Sequence, residues 1–128
     1  FPRGHNQVFS ARMTELRNAC VARAHEQGMG IAAMKVVGAG VLGAWAPYVV
    51  PGLDKARLAG LPGAAIRWVL QDERIDLLVI GMRLEKELDA NLRTLGGDTA
   101  YTLRDRALLT DFMARAYDSD AVRKMRVD

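Results

Sequence analysis

The sequence predicts an α/β fold built on a parallel sheet, and three observations predict it. Two short apolar runs, residues 31–37 (IAAMKVV) and 75–80 (IDLLVI), each carry a single charge and lie against glycine. That is the form taken by a strand buried on both faces. Apolar residues before, between and after these runs recur at helical spacing. The order that results is helix, strand, loop, helix, strand, helix, helix, and strands alternating with helices make parallel sheets. The composition agrees: 128 residues, 50% apolar and 26% charged, suit one domain of ordinary size and argue against disorder.

Each element has a local reason. Met13, Leu16, Cys20 and Ala24 fall on one helical stripe, and Gly28 is a natural stop, so a helix is expected over 11–27. The first strand follows Gly30. Residues 38–60 hold Pro47, Pro51 and Gly52 and read as loop. Leu61, Ala64, Ala65, Trp68 and Val69 then mark one helical face, with Pro62 in the first turn, where proline is tolerated. Residues 71–74 (QDER) are a polar break before the second strand, which Gly81 closes. Leu84, Leu88, Leu92 and Leu95 mark a further helix, with Asn91 beside the same face and Gly96-Gly97 at its end. Thr102 followed by Asp105 resembles a capping box, and Leu109, Phe112, Met113, Ala116 and Tyr117 form the core face of the helix it opens. The tail after Asp118 is polar, with Arg123, Lys124 and Arg126 making it basic. Residues 1–6 give at most a remnant of a third strand. A sheet of two or three apolar strands, without the charges, prolines or bulges that protect natural edges, expects neighbours.

Several function classes drop out. One cysteine, Cys20, excludes a disulfide scaffold, and it has no Cys/His cluster beside it for zinc; its place on the helix stripe predicts a small core residue. His5 and His25 have no metal-ligand partners at useful spacing and read as surface residues. The net charge of +3, from fourteen Arg and four Lys against fifteen acids, is too mild to demand a nucleic-acid partner. Residues 31–50 are long enough to span a bilayer, but Lys35, three glycines and Pro47 argue against a membrane helix. The N-terminus has no apolar run of the signal-peptide kind, so a cytoplasmic protein is expected. The chain begins at Phe1, which suggests the tail of something longer.

Three segments carry a family resemblance. Residues 28–42 (GMGIAAMKVVGAGVL) resemble the "GIG…MK-x-x-G-x-G-x-L" segment of the Met-Lys branch of the aldo/keto reductases. Residues 64–70 (AAIRWVL) resemble that family's "A-L-R-W-V-L" helix, and Val79-Ile80-Gly81-Met82 with Leu88, Asn91 and Leu92 is similar to "I-P-G-M…L-x-E-N-L". The three occur in the family's order and cover about residues 28–95. The resemblance implies a C-terminal portion of a (β/α)8 TIM barrel with a C-terminal helix. Residues 1–100 would supply the C-terminal βα units, with 31–37 as the seventh strand and 76–80 as the eighth. Residues 101–128 would be the C-terminal helix and basic tail. A whole barrel takes ~250 residues, so the N-terminal half would come from the same protein or another chain.

The resemblance also implies a function: part of an NAD(P)H-dependent oxidoreductase that reduces a small-molecule carbonyl substrate, an aldehyde or ketone. Active sites of such barrels sit at the C-terminal ends of the strands. Lys35, Gly38 and Gly40 would lie along the nicotinamide and pyrophosphate of NADPH or NADH. Gly81, Met82, Arg83, Glu87 and Asn91 would hold the adenosine end, with phosphate at the helix N-terminus after Gly81 and the Asn91 amide on the adenine edge. Glu87 stands where NADP-preferring members often carry arginine, which favours NADH, while Arg83 argues for a phosphate. Ile80 replaces the family's usual proline, and Ala90 replaces the acid before the asparagine. No residue matches the family's catalytic Asp, Tyr, Lys and His, so this chain alone carries no catalytic residue of that set. Plainer readings stand beside these: turn glycines, a solvated Lys35, an Asn91 bonded locally, and a solvated charged helix face from Arg83 to Asp89. Two other function classes also stand: a non-enzymatic half-barrel or truncated homologue that assembles with itself or another chain, and a basic helical adaptor for nucleic acid.

Overall fold

A computed structural model describes residues 11–123, and it shows a helix-rich α/β fold with two parallel strands in one sheet. The elements are α1 (Ala11–Glu26), β1 (Ala32–Met34), a 3-10 turn (Gly38–Gly40), α2 (Ala46–Val49), α3 (Lys55–Leu70), β2 (Leu77–Val79), α4 (Glu85–Gly96), α5 (Leu103–Asp118) and α6 (Asp120–Arg123). β1 and β2 pair in register, Ala32 with Leu77, Ala33 with Leu78 and Met34 with Val79. The expected remnant strand in residues 1–6, His5, and Lys124 and Arg126 of the basic tail lie outside the described residues.

The strands sit where the sequence puts them, but they are shorter and only half covered. Ala33 and Leu78 pack against the core, while Met34, Leu77 and Val79 on the other face are 70%, 59% and 43% exposed. The expectation of strands buried on both faces is thus corrected. Val36 and Val37 are buried, but in the loop after β1. Residues 31–50 fold as strand, 3-10 turn and short helix, and no helix among the described residues is long and apolar enough to cross a membrane.

Residues 38–60 are far more ordered than a loop reading allows. Val41, Leu42, Ala46, Val49, Val50 and Leu53 are buried and join Leu61, Ala65, Ile66, Phe112 and Ala116 in one cluster. Each large apolar side chain buried this way contributes about 1.5–3 kcal/mol. α3 begins at Lys55, because the Asp54 carboxylate accepts the Arg57 N–H at 2.8 Å and caps the helix. Pro62 therefore lies two turns inside α3 and not in its first turn, which removes one ladder hydrogen bond. α3 packs on both α4 and α5. α5 opens as the sequence predicts: Thr102 Oγ1 accepts the Asp105 N–H at 3.1 Å, and Asp105 accepts the Thr102 N–H at 3.0 Å.

Two helices turn apolar stripes outward. On α1, Leu16 is 51% exposed and Cys20 is exposed, so Cys20 is not the core residue expected. On α4, Leu84, Leu88, Leu92 and Leu95 are all exposed, and the packed face is the one that carries Asn91.

Candidate functional site

The parallel register brings two of the predicted segments to one edge. Met34 and Val79 are paired, so the chain leaves β1 at Lys35 and β2 at Ile80 side by side. Lys35 takes φ 57, rare for a residue with a side chain, and its C=O accepts the Gly38 N–H at 2.7 Å in a tight turn. This aims the loop sharply out of the sheet and leaves Lys35 exposed, its ammonium group making no hydrogen bond or ion pair to any described residue. Gly38 is buried. Gly40 has φ 94, and a Cβ there would stand 2.6 Å from Trp45 Cδ1. The positive φ and the chain's own tryptophan both call for glycine there. Gly81 is the opposite case: a Cβ there would meet nothing within 4 Å, and its φ is not left-handed. Nothing among the described residues demands glycine at position 81.

The N-terminus of α4 is partly filled from within. Glu87 Oε2 accepts the Arg83 N–H at 2.7 Å and the Leu84 N–H at 3.2 Å. These two bonds hold the Glu87 carboxyl below the ordinary glutamate range. The helix start expected to hold phosphate is to this extent already taken by the chain's own carboxylate. The N–H groups of Glu85 and Lys86 have no partner among the described residues, and they keep the anion-attracting character of a helix start. Met82 is 44% exposed, and the exposed Arg83 guanidinium makes no hydrogen bond or ion pair with a described residue.

Asn91 lies one turn beyond Glu87 on α4; the sequence sets it beside the leucine face, but the leucines are exposed and Asn91 is on the packed side. It is 8% exposed and lines a groove of about 450 Å³ between α3 and α4, with Gly60, Pro62, Gly63, Arg93 and Thr94. Its side-chain amide makes no hydrogen bond to any described residue. α3 offers glycine and proline opposite it, and the Thr94 hydroxyl is spent on the Ala90 C=O at 3.0 Å. Leaving a buried amide unsatisfied costs about 1–3 kcal/mol. Sequence spacing alone could not show this, because it depends on which residues α3 brings opposite.

A second groove of about 740 Å³ separates α3 from α5 and shares Gly60, Arg67 and Asp98 with the first. Arg67 clamps it with two bonds to Asp105, Nε to Oδ2 at 2.9 Å and Nη2 to Oδ1 at 2.5 Å. Arg57 bonds Asp111 at 2.6 Å. The Arg67 guanidinium, with help from Thr102, lowers the Asp105 carboxyl to about 2. The sequence reading saw Asp105 only as a cap.

The eight predicted residues thus fall into three groups. Lys35, Gly38 and Gly40 form one strand-end loop. Gly81, Met82, Arg83 and Glu87 form the neighbouring turn and helix start. Asn91 stands apart in the groove, which none of the other seven lines. The sequence reading missed an exposed aromatic pair on the first loop, Trp45 and Tyr48, with ring centroids 5.9 Å apart and planes tilted by 54°. Among the described residues no group of three or more His, Cys, Asp or Glu is placed to hold a metal ion. Comparison with protein-family models finds no match, and neither the curated proteins nor the solved structures give a significant one.

Proposed function

We propose that this chain is the cofactor-binding, C-terminal part of an aldo/keto reductase-type oxidoreductase of the (β/α)8 barrel class, using NADH or NADPH on a small carbonyl substrate. The observation that carries the reading is Asn91: a buried amide with no partner in its own chain, lining a groove two turns from a helix start with free N–H groups. An amide offers one donor and one acceptor side by side, which matches the edge of an adenine ring. The free N–H groups of Glu85 and Lys86, with Gly81 and Arg83, suit the phosphates. Lys35 sits on the same edge of the sheet, where such barrels do their chemistry. The cofactor would supply the hydride; this chain's residues bind and orient it, and no catalytic acid or base is assigned here.

The half-covered sheet supports the same reading. A barrel strand turns one face to the helices and the other to the barrel interior, and the exposed Met34, Leu77 and Val79 are the set that would face such an interior. The same open face also favours a second reading, a non-enzymatic half-barrel that assembles with itself or another chain. The test uses the protein as its gene encodes it, titrated with NADH and NADPH and followed by nicotinamide fluorescence. Saturable binding that Asn91→Leu weakens at least tenfold is expected. Binding of neither dinucleotide overturns the reading, and binding without turnover of any aldehyde or ketone favours the second.

A further inference from the structure

We propose that Arg67 couples ligand binding in the Asn91 groove to the docking of α5, and that Asp105 is the residue that positions it. The inference rests on the dinucleotide reading above and deepens it, by naming what regulates that site. Arg67 lines both grooves, the one between α3 and α4 that holds Asn91 and the one between α3 and α5. Gly63 lines the Asn91 groove and not the other. A Cβ on Gly63 would stand 3.2 Å from Thr94 Oγ1, 3.4 Å from Arg67 Nη1 and 3.7 Å from Arg67 Nη2. The guanidinium therefore lies against the Gly63 backbone, on the Asn91 side of α3, with Nη1 as its nearest atom.

How that group is held depends on α5. Arg67 Nε donates to Asp105 Oδ2 at 2.9 Å and Nη2 to Oδ1 at 2.5 Å. Two parallel bonds to one carboxylate fix the plane of a guanidinium. They leave the Nη1 donors with no acceptor among the described residues. A ligand seated on the buried, unpartnered Asn91 amide thus meets a second donor already set in place. Because the side chain is ordered beforehand, binding does not have to order it. Without Asp105, Arg67 is a long rotatable cation, and a ligand must immobilise it. By linkage, whatever factor α5 docking adds to ligand affinity, bound ligand adds to α5 docking. A second ion pair, Arg57 with Asp111 at 2.6 Å, also joins α3 to α5, but neither of its residues lines the Asn91 groove. It loosens the same two helices without touching the ligand-facing group, and so serves as the control.

The test uses the protein as its gene encodes it, with NADH as the probe and two readouts. In fluorescence titrations, Asp105→Asn is expected to weaken NADH binding at least about fivefold, the lower end of ordinary coupling between sites. Asp105→Glu keeps a carboxylate for Arg67 and the usual capping-box residue, and it is expected to stay within about twofold of the unmodified protein. Asp111→Asn is expected to stay within about twofold as well. Deuterium exchange followed by mass spectrometry on the unmodified protein gives the reciprocal readout and needs no variant to fold. Saturating NADH is expected to slow exchange over residues 103–109 at least about threefold and to leave α1 unchanged. NADH affinity unmoved in Asp105→Asn, an equal loss in Asp111→Asn, or exchange over 103–109 unmoved by bound NADH overturns the proposal and leaves the dinucleotide reading intact. An unmodified protein that binds no NADH overturns both.

Discussion

Replacing Asp105 separates the two tasks this residue performs. Its carboxylate caps α5 through Thr102 and clamps α5 to α3 through Arg67. The Asp105 side chain is 8% exposed and that of Arg67 22%. Breaking a fully buried pair costs about 3–5 kcal/mol, and the residual exposure of Arg67 brings that to about 2 kcal/mol here. Losing the cap adds about 0.5–1 kcal/mol. Asp105→Ala should therefore destabilise the protein by about 3 kcal/mol. Asp105→Asn keeps an acceptor for Thr102 and should cost about 2 kcal/mol. The lowered carboxyl expresses the same contacts as a proton affinity. Its fall from 3.8 to about 2 corresponds to about 2 kcal/mol at 1.36 kcal/mol per unit. The assay is urea unfolding followed by far-ultraviolet circular dichroism, in a double-mutant cycle of Asp105→Asn with Arg67→Met. A coupling energy of at least 1.5 kcal/mol is expected; one below about 0.5 kcal/mol would show that the clamp does not hold α3 to α5.

Four further expectations follow from single observations. The Asp105 carboxyl is depressed in the folded state, so its contribution is complete above about 3.8 and is lost as pH falls toward about 2; Asp72 and Asp111, also lowered, act in the same direction, and an acid titration of unfolding free energy should be less steep over that window in Asp105→Asn. Gly40→Ala places a methyl against Trp45 at φ 94 and should cost about 1–3 kcal/mol, with a shifted tryptophan emission spectrum; an unchanged melt and spectrum would show that Trp45 does not seat on Gly40. Cys20 is exposed on α1, and a thiol reagent should label it in the native protein within minutes, whereas protection until unfolding would restore the core reading. Asn91→Leu removes an unsatisfied buried amide and should leave unfolding free energy unchanged or raise it by about 1 kcal/mol while dinucleotide binding falls; a loss of stability in urea unfolding would show that the amide has a partner.

What the sequence made legible was local chemistry. Gly28 with φ 69 ends α1, and Thr102 with Asp105 caps α5, because each signal acts over three or four residues. The strands were placed correctly but drawn too long, since Val36 and Val37 look the same in a sequence whether the ladder or a buried loop takes them. α3 was started late because Pro62 dominated the reading. The missed signal was Asp54, a good N-cap, followed by Leu58 on the same stripe as Leu61 and Ala65. Non-local facts were out of reach. Trp45 over Gly40, Arg67 on Asp105 thirty-eight positions away and the unpartnered amide of Asn91 all depend on which side chains tertiary packing brings together.

The outward apolar residues have a common geometry, and it bears on what the strands need. Both strands show the same exposed, half-buried, exposed alternation, so Met34, Leu77 and Val79 share one side of the sheet while Ala33 and Leu78 face the helices. Parallel sheets occur with both faces covered, because each ladder contributes little unless water is kept from it. A two-stranded parallel ladder is among the weakest such arrangements. The leucine stripe of α4 and Leu16 of α1 are exposed as well. A solvated helix face would show charges at those positions, as Glu85, Lys86 and Asp89 do on α4. Leucines in their place make an exposed apolar surface. Under the proposed reading one cover satisfies all three. The strand face would line a barrel interior, and the helix stripes would meet neighbouring βα units. The candidate cofactor residues would then stand at the rim of a closed sheet, and the groove with Asn91 would lie between two of its outer helices.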